Sequence, residues 1–399
     1  MRSDFFIQKI EGAKFMIDFC ECSFETNVVR GASGGDDKTG AISFPIYQAS
    51  TFKHPGLNQS TGYDYSRLQN PTTEEVEKTL ALLEKGKEAL GFSTGVAAIT
   101  ACINLLKSGD HVILSEDLYG GTFRLFNDIY NVYGIESTFV DTSKENEIIN
   151  AIQDNTKAIF IETPSNPLMR ITDIKLVVDI CKKNNFISIV DNTFLTPYYQ
   201  KPLTLGADLV VHSGTKYLGG HNDVLAGFIV ANNEELVEKL RIVQRSTGAT
   251  LSPFDSWLVL RGLKTLHIRM DRSEENAIKV ANWLKSNKNV DKVYYVGLEE
   301  HDGFKINKLQ STGFGSMISF RVKDESLVSK ILSGVKVISF AESLGGVETL
   351  ITYPHTQTHS EMPVEIKDRL GVDEYLLRLS IGIENIDDLI KDLENVLGE

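Results

Sequence analysis

Seven short runs, EALGF, HVILS, ESTFV, KAIFIE, FISIVD, ADLVV and AGFIV, follow one another between about residues 85 and 230, with helical patterns between them. Several are apolar almost throughout, as a strand must be when both of its faces are covered. GVAAITACINLL follows EALGF directly, and ITDIKLVVDICKKNN stands between KAIFIE and FISIVD with apolar residues three and four apart. Parallel neighbours need crossover connections, and helices supply them. The alternation therefore predicts an α/β domain: a largely parallel seven-stranded sheet with helices on both faces.

The pattern changes after residue 233. NEELVEKLRIVQRS reads as one helix and residues 252–287 as one long helix. VDKVYYVG, GSMISFRV and LLRLSIGIE then read as strands, with helices near 324–333 and 386–397, which makes a smaller α+β C-terminal domain. Residues 16–75 lack periodicity and are rich in turn formers, so they are expected to form an arm that lies on something else. The expected divisions are a 1–15 extension, a 16–75 arm, a 76–250 α/β domain and a 251–399 C-terminal domain with its linking long helix. Residues 1–15 read either as a non-native extension ahead of a start at Met16 or as a short native arm.

Bulk properties exclude some functions. The chain carries 41 basic and 54 acidic residues, a net charge of -13, which repels a phosphate backbone and argues against nucleic acid as a partner. No apolar stretch reaches the roughly 18 to 20 residues of a membrane span. Cys20, Cys22, Cys102 and Cys181 are too scattered for a disulfide framework or a zinc site, which fits a reducing cytoplasm. His355 and His359 in HTQTH have the spacing of a metal pair, but Pro354 precedes them and no third ligand is evident, so no metal is expected.

In a wound α/β sheet ligands sit beyond the C-terminal ends of the strands. There the polar residues cluster. FSTGVAAI places Ser93, Thr94, Gly95 and Val96 between a strand and a helix start, where free amides and the helix dipole favour an anion such as phosphate, although a plain cap has the same look. Asp191 ends the run FISIV, as a cap or as a buried carboxylate in need of a cation. SGTK offers the hydroxyls of Ser213 and Thr215 beside Lys216, a residue type that is ordinarily a solvated surface charge. Together a phosphate cradle, a carboxylate and an amine match what pyridoxal 5'-phosphate requires: anchorage, a partner for the pyridinium nitrogen, and a Schiff-base lysine.

At YDYSRLQNPT, LYGGTFRLF, ETPSNP, VDNTF, HSGTKYLGGHNDV, ESLGGVETLI and LLRLSIGIE the chain resembles the Cys/Met-metabolism family of pyridoxal-phosphate enzymes. That family includes cystathionine γ-synthase, cystathionine β- and γ-lyases, methionine γ-lyase and homoserine-ester sulfhydrylases. The resemblance runs from about residue 25 to the C-terminus and implies a fold type I enzyme acting on small amino-acid substrates. It implies that Lys216 holds the cofactor and moves protons, that Asp191 pairs with the pyridinium nitrogen, and that Tyr119 stacks on the ring. Gly95, Val96, Ser213 and Thr215 would bind the phosphate. Asn166 would lie near the cofactor hydroxyl or the substrate carboxylate, Arg378 would grip that carboxylate, and Ser343 would orient it and the freed lysine. Tyr65 and Arg67 resemble residues that reach a neighbouring subunit's cofactor, so a homotetramer built from dimers with shared sites is expected.

The resemblance leaves the reaction open among these activities. Gly121 stands where methionine γ-lyases usually carry cysteine, which disfavours that activity. Glu348 resembles an acid that could face the distal amino group of cystathionine, and ITYPHTQTHSEMP looks closest to γ-synthase and thiolyase members. The expectation is γ-replacement on an O-acyl-homoserine with cysteine or sulfide. A cystathionine β- or γ-lyase is the alternative, and an aminotransferase or a noncatalytic cofactor-binding protein are more remote.

Overall fold

The computed structural model describes residues 22–360 and 362–398. The reading of residues 1–15, Met16 and Cys20 falls outside them. The runs read as strands form β1 (Glu88–Phe92), β2 (His111–Ser115), β3 (Glu136–Val140), β4 (Thr156–Glu162), β5 (Ile187–Asp191), β6 (Leu209–Ser213) and β7 (Gly227–Ala231). They make one sheet in the order β1-β7-β6-β5-β4-β2-β3. β2 to β6 pair in parallel, and β7 runs antiparallel to both β1 and β6.

Strand alternation decides what faces the site. Phe160, Ile189, Leu209 and Val211 pack in one core cluster with the helix Gly95–Ile103, whereas Ile159, Ile161, Val190 and Val210 pack on the opposite face. With a period of two, Glu162, Asp191 and Ser213 at the strand ends share the face of the Gly95 helix. His212 points the other way, to Glu84 at the end of the helix Pro71–Glu84. That helix crosses the boundary expected at residue 75: Asn70 caps it through Thr72 N and Pro71 opens it, so the regular structure starts earlier than periodicity suggests.

The second sheet holds β8 (Val290–Tyr294), β9 (Met317–Val322), β10 (Ser339–Phe340), β11 (Leu350–Thr352) and β12 (Leu376–Ser380), in the order β10-β11-β12-β9-β8. Its core is shared with the long helix Leu266–Ser286 and the C-terminal helix Ile386–Leu397. No helix among the described residues is long and apolar enough to cross a membrane.

One expectation is corrected. Residues 252–287 form two helices, Pro253–Leu263 and Leu266–Ser286, rather than one. The Gly262 carbonyl, which would have continued the ladder, accepts instead from Arg269 Nη2 at 2.8 Å and from the Thr265 hydroxyl at 3.2 Å. Arg269 is buried; its Nε reaches Thr265 Oγ1 at 3.0 Å and its Nη1 the Tyr217 carbonyl at 2.7 Å, which ties the helix break to the turn after Lys216. Leaving such groups unpaired costs about 1–3 kcal/mol each. Arg269→Ala should therefore lower the thermal midpoint by several degrees and weaken cofactor retention. Thermal unfolding with absorbance of the bound chromophore checks both.

Candidate active site

A cleft of about 360 Å³ opens at the C-terminal edge of the large sheet, and its lining includes Gly95, Val96, Tyr119, Asn166, Asp191, Ser213, Thr215 and Lys216. Eight candidates spread over 122 positions of sequence thus converge, because each ends a strand or lies in the connection that follows one. Thr94 caps the helix Gly95–Ile103: its side chain accepts from Ala97 N at 3.0 Å and its carbonyl from Ala98 N at 3.1 Å. The amides ahead of these belong to the helix turn that has no intrahelical acceptors. A Cβ on Gly95 would stand 2.8 Å from Ser213 Cβ, so only glycine lets this amide-bearing turn close on the serine.

Asp191 is both cap and cleft wall. Its Oδ1 accepts from the Thr193 amide at 3.0 Å and from the Thr193 hydroxyl at 2.6 Å. Beside it stands Glu162, paired with Asp191 in the β4–β5 register and only 6% exposed. Sequence reading missed Glu162, although it ends its strand as Asp191 does. Burial, and then the charge of Asp191, push the Glu162 carboxyl well above the usual carboxylate range. Burial also raises Asp191, against the bonds from Thr193. Glu162 Oε2 accepts from the Tyr119 amide at 3.0 Å and so fixes the base of the loop whose tyrosine ring is 40% exposed at the cleft.

Lys216 Nζ donates to Ser343 Oγ at 2.9 Å. Burial and then the Arg378 guanidinium bring its ammonium down to about 8. Ser343 adopts φ +96°, a strained conformation for a residue with a side chain, at the point where the small sheet meets the lysine. Arg378, on β12 and 1% exposed, donates through Nη1 to Asn166 Oδ1 at 2.7 Å, and through Nη2 to the Ser343 carbonyl at 3.0 Å and Thr352 Oγ1 at 3.1 Å. Its Nε has no hydrogen-bond partner among the described residues. A buried guanidinium with a donor to spare suits an incoming carboxylate.

Other expected residues lie outside the cleft or have their polar groups engaged elsewhere. Tyr65 and Arg67 do not line this cleft; Arg67 lies 5.5 Å from the Tyr65 ring centroid and donates to the Arg245 carbonyl at 2.7 Å. The Thr215 hydroxyl is engaged by the Ala226 backbone, donating to its carbonyl at 3.3 Å and accepting from its amide at 3.1 Å. Glu348 is exposed, and its carboxylate takes a bond from Asn222 Nδ2 at 2.7 Å. The acid whose charge bears on both Lys216 and Arg378 is Glu342, the residue before Ser343. Its adjacency to Ser343 was the available signal. Among the described residues no three His, Cys, Asp or Glu side chains group as a metal site.

The pieces fit pyridoxal phosphate: an amide-lined turn that only glycine can close for the phosphate, a carboxyl pair that calls for a positive ring nitrogen, and an amine of lowered basicity. Fold and cleft together define a fold type I pyridoxal-phosphate enzyme. Over residues 25–398 the chain belongs to the family described as Cys/Met metabolism PLP-dependent enzyme. It is 51% identical to the cystathionine gamma-lyase of Bacillus subtilis (strain 168), covering 94% of this chain and 98% of that protein. It is 47% identical to the cystathionine beta-lyase of Lactococcus lactis subsp. cremoris (strain MG1363), covering 94% and 99%. The crystal structure of cystathionine gamma synthase from Xanthomonas oryzae pv. oryzae in complex with cystathionine superposes with a TM-score of 0.92 at 41% identity, covering 94% and 98%. This is a transsulfuration enzyme that depends on pyridoxal phosphate and acts on small amino-acid substrates.

Only a neutral amine is nucleophilic. In cofactor-free protein, acetylation of Lys216 should rise with pH to a plateau just above about 8, while surface lysines keep gaining reactivity at higher pH. Peptide mass spectrometry after brief labelling measures this, and a profile that tracked the surface lysines would remove the electrostatic account of the site.

Proposed function

We propose that this chain carries out γ-replacement, in which an O-acyl-homoserine exchanges its ester group for the thiol of cysteine or for sulfide. The observation that carries the reading is the double use of Ser343: its hydroxyl holds Lys216 Nζ at 2.9 Å while its carbonyl holds Arg378 Nη2 at 3.0 Å. An amino acid gripped by its carboxylate at Arg378 would present its α- and β-carbons to the amine of Lys216. Pyridoxal phosphate, when bound, supplies the electron sink that makes the α-proton removable.

In this reading Lys216 holds the cofactor through its amine and later carries protons between Cα and Cβ of the substrate. Asp191 would face the ring nitrogen and keep it protonated. Gly95, Val96, Ser213 and Thr215 would hold the phosphate, Tyr119 would cover the ring, and Asn166 would steady Arg378 and the carboxylate. Glu348 would face a distal ammonium group, and Glu342, whose charge reaches Lys216 and Arg378, stands as a second acid on the same segment. The second reading is cleavage of cystathionine, which the identity to the Bacillus γ-lyase favours.

A shared site in a homotetramer of dimers is part of the proposal. It is supported by Tyr65 and Arg67 lying away from their own cleft, and by the exposure of Leu57 at 92% and Ile42 at 72% on the same arm. The free thiols of Cys22, Cys102 and Cys181 support a reducing, cytoplasmic setting.

The deciding assay offers O-acetyl- and O-succinyl-homoserine, each with cysteine or sulfide, beside cystathionine alone. Formation of cystathionine or homocysteine with release of the acid supports replacement. Release from cystathionine of ammonia with 2-oxobutanoate, for γ-cleavage, or with pyruvate, for β-cleavage, and no replacement product from the esters, establishes the lyase reading instead. Lys216→Ala should abolish turnover in every arm. Mixing the inactive Lys216→Ala and Arg67→Ala variants should restore partial activity through hybrid sites; no recovery after demonstrated subunit exchange would remove the shared site.

A further inference from the structure

In the sequence His359 has only the look of half a metal pair, and the reaction above gives it no part. It lies in the turn that follows β11 of the small sheet, yet its ring is 1% exposed and packs under the large sheet's active-site loops. Nε2 lies 3.2 Å from the Leu118 carbonyl and 3.2 Å from the Asn166 carbonyl. Both are acceptors only, so Nε2 carries the proton; Nδ1 is then the acceptor for the Thr358 hydroxyl at 2.8 Å. Burial and the nearby Arg378 charge bring the ring down to about 4, so this neutral tautomer persists at physiological pH.

The backbone contact beside the ring is equally close. A Cβ on Gly120 would meet the Thr358 carbonyl oxygen at 2.1 Å, so glycine is required for the Tyr119 loop to lie against this turn. The turn is itself latched. Gln357 Oε1 accepts from Tyr353 N at 2.8 Å, His359 N donates to the Pro354 carbonyl at 3.0 Å, and the Tyr353 hydroxyl donates to the Glu374 carbonyl at 3.2 Å. The Tyr119 loop is thus held on two sides, by Glu162 at the Tyr119 amide and by His359 at the Leu118 carbonyl. Asn166 is likewise held twice, by Arg378 at its side chain and by His359 at its backbone.

We propose that His359 is a positioning residue whose single Nε2–H binds the Leu118 and Asn166 carbonyls together, and so clamps the loop that carries Tyr119 to the loop that carries Asn166. Its bearing on catalysis rests on the roles read above for Tyr119 and Asn166; the clamp itself does not. Removing it frees both loops at once. Misplacement of reacting groups by about 1 Å can cost on the order of 100-fold in rate.

The test compares His359→Gln, His359→Asn and His359→Ala as holoenzymes. Glutamine places an amide N–H near the position of imidazole Nε2, whereas asparagine reaches only the Nδ1 position. Hydrogen exchange of peptides spanning 116–124 and 163–170, together with kcat and KM, gives the readout. His359→Ala and His359→Asn should exchange about tenfold faster in both loops, the loss of roughly one net hydrogen bond. Their kcat/KM should fall about 10- to 100-fold, while His359→Gln stays near wild type on both measures. Unchanged exchange in the two loops, or asparagine performing as well as glutamine, overturns the clamp. If the alanine variant does not fold, the glutamine and asparagine pair still decides. Faster loop exchange with wild-type turnover supports the clamp and instead overturns the roles of Tyr119 and Asn166.

Discussion

Glu162 and Asp191 end neighbouring parallel strands, in register, on one face and both buried. Two carboxyls so placed cannot both be charged without a cation against them. With no cation they retain a proton; were a protonated ring nitrogen to lie against Asp191, as proposed above, Asp191 could be the anion while Glu162 stayed neutral and kept its bond from the Tyr119 amide. The large sheet is what sustains this cost. Its strands are apolar on both faces, so the carboxyls sit at the end of a closed core, and the solvent that would otherwise stabilise them is excluded.

The small sheet completes what the large one begins. Arg378 lies on β12, Ser343 in the segment between β10 and β11, and His359 in the turn after β11, and all three reach groups of the large-sheet cleft. Arg269, on the long helix between the sheets, holds the turn after Lys216 by its Tyr217 carbonyl. The lysine is therefore set from below by the strand that precedes it and from above by the Ser343 hydroxyl. In the proposed reading such an arrangement would separate binding, assigned to Arg378 and Asn166, from proton movement, assigned to Lys216. It would do so without separating them in space, because Ser343 touches both cations.

Much of this was legible early, for reasons that differ between residues. Asp191, Ser213 and Lys216 stand at or just beyond strand ends, where the strand-order rule for α/β sheets places ligands, and nearly continuous apolar runs reveal where the strands are. Glu162 obeys the same rule as the last residue of KAIFIE, but no local pattern shows that it is buried beside Asp191. Neither Glu342 nor the surroundings of Glu348 can be read locally, because their segment has no period and the bond from Asn222 to Glu348 spans 126 positions. His359 could be read only as a metal-like residue, since its true partners lie 241 and 193 positions away. The break at residues 264–265 was likewise invisible, because the pattern around it is helical and the carbonyl is diverted by a side chain.

What the sequence determined by itself was the repeating local order: strands covered on both faces, helices of the right period between them, a glycine-opened helix start, and the chemical types available at each strand end. Those are properties of neighbouring residues, and hydrophobic burial and backbone sterics act on them directly. Tertiary structure alone decided which carboxyl faces which, which amine loses its water, which acid lines the cleft and which histidine lies beneath its loops. These depend on contacts between residues far apart in the chain, where electrostatic energies change steeply with a few ångströms and with solvent access, neither of which is encoded in a local pattern.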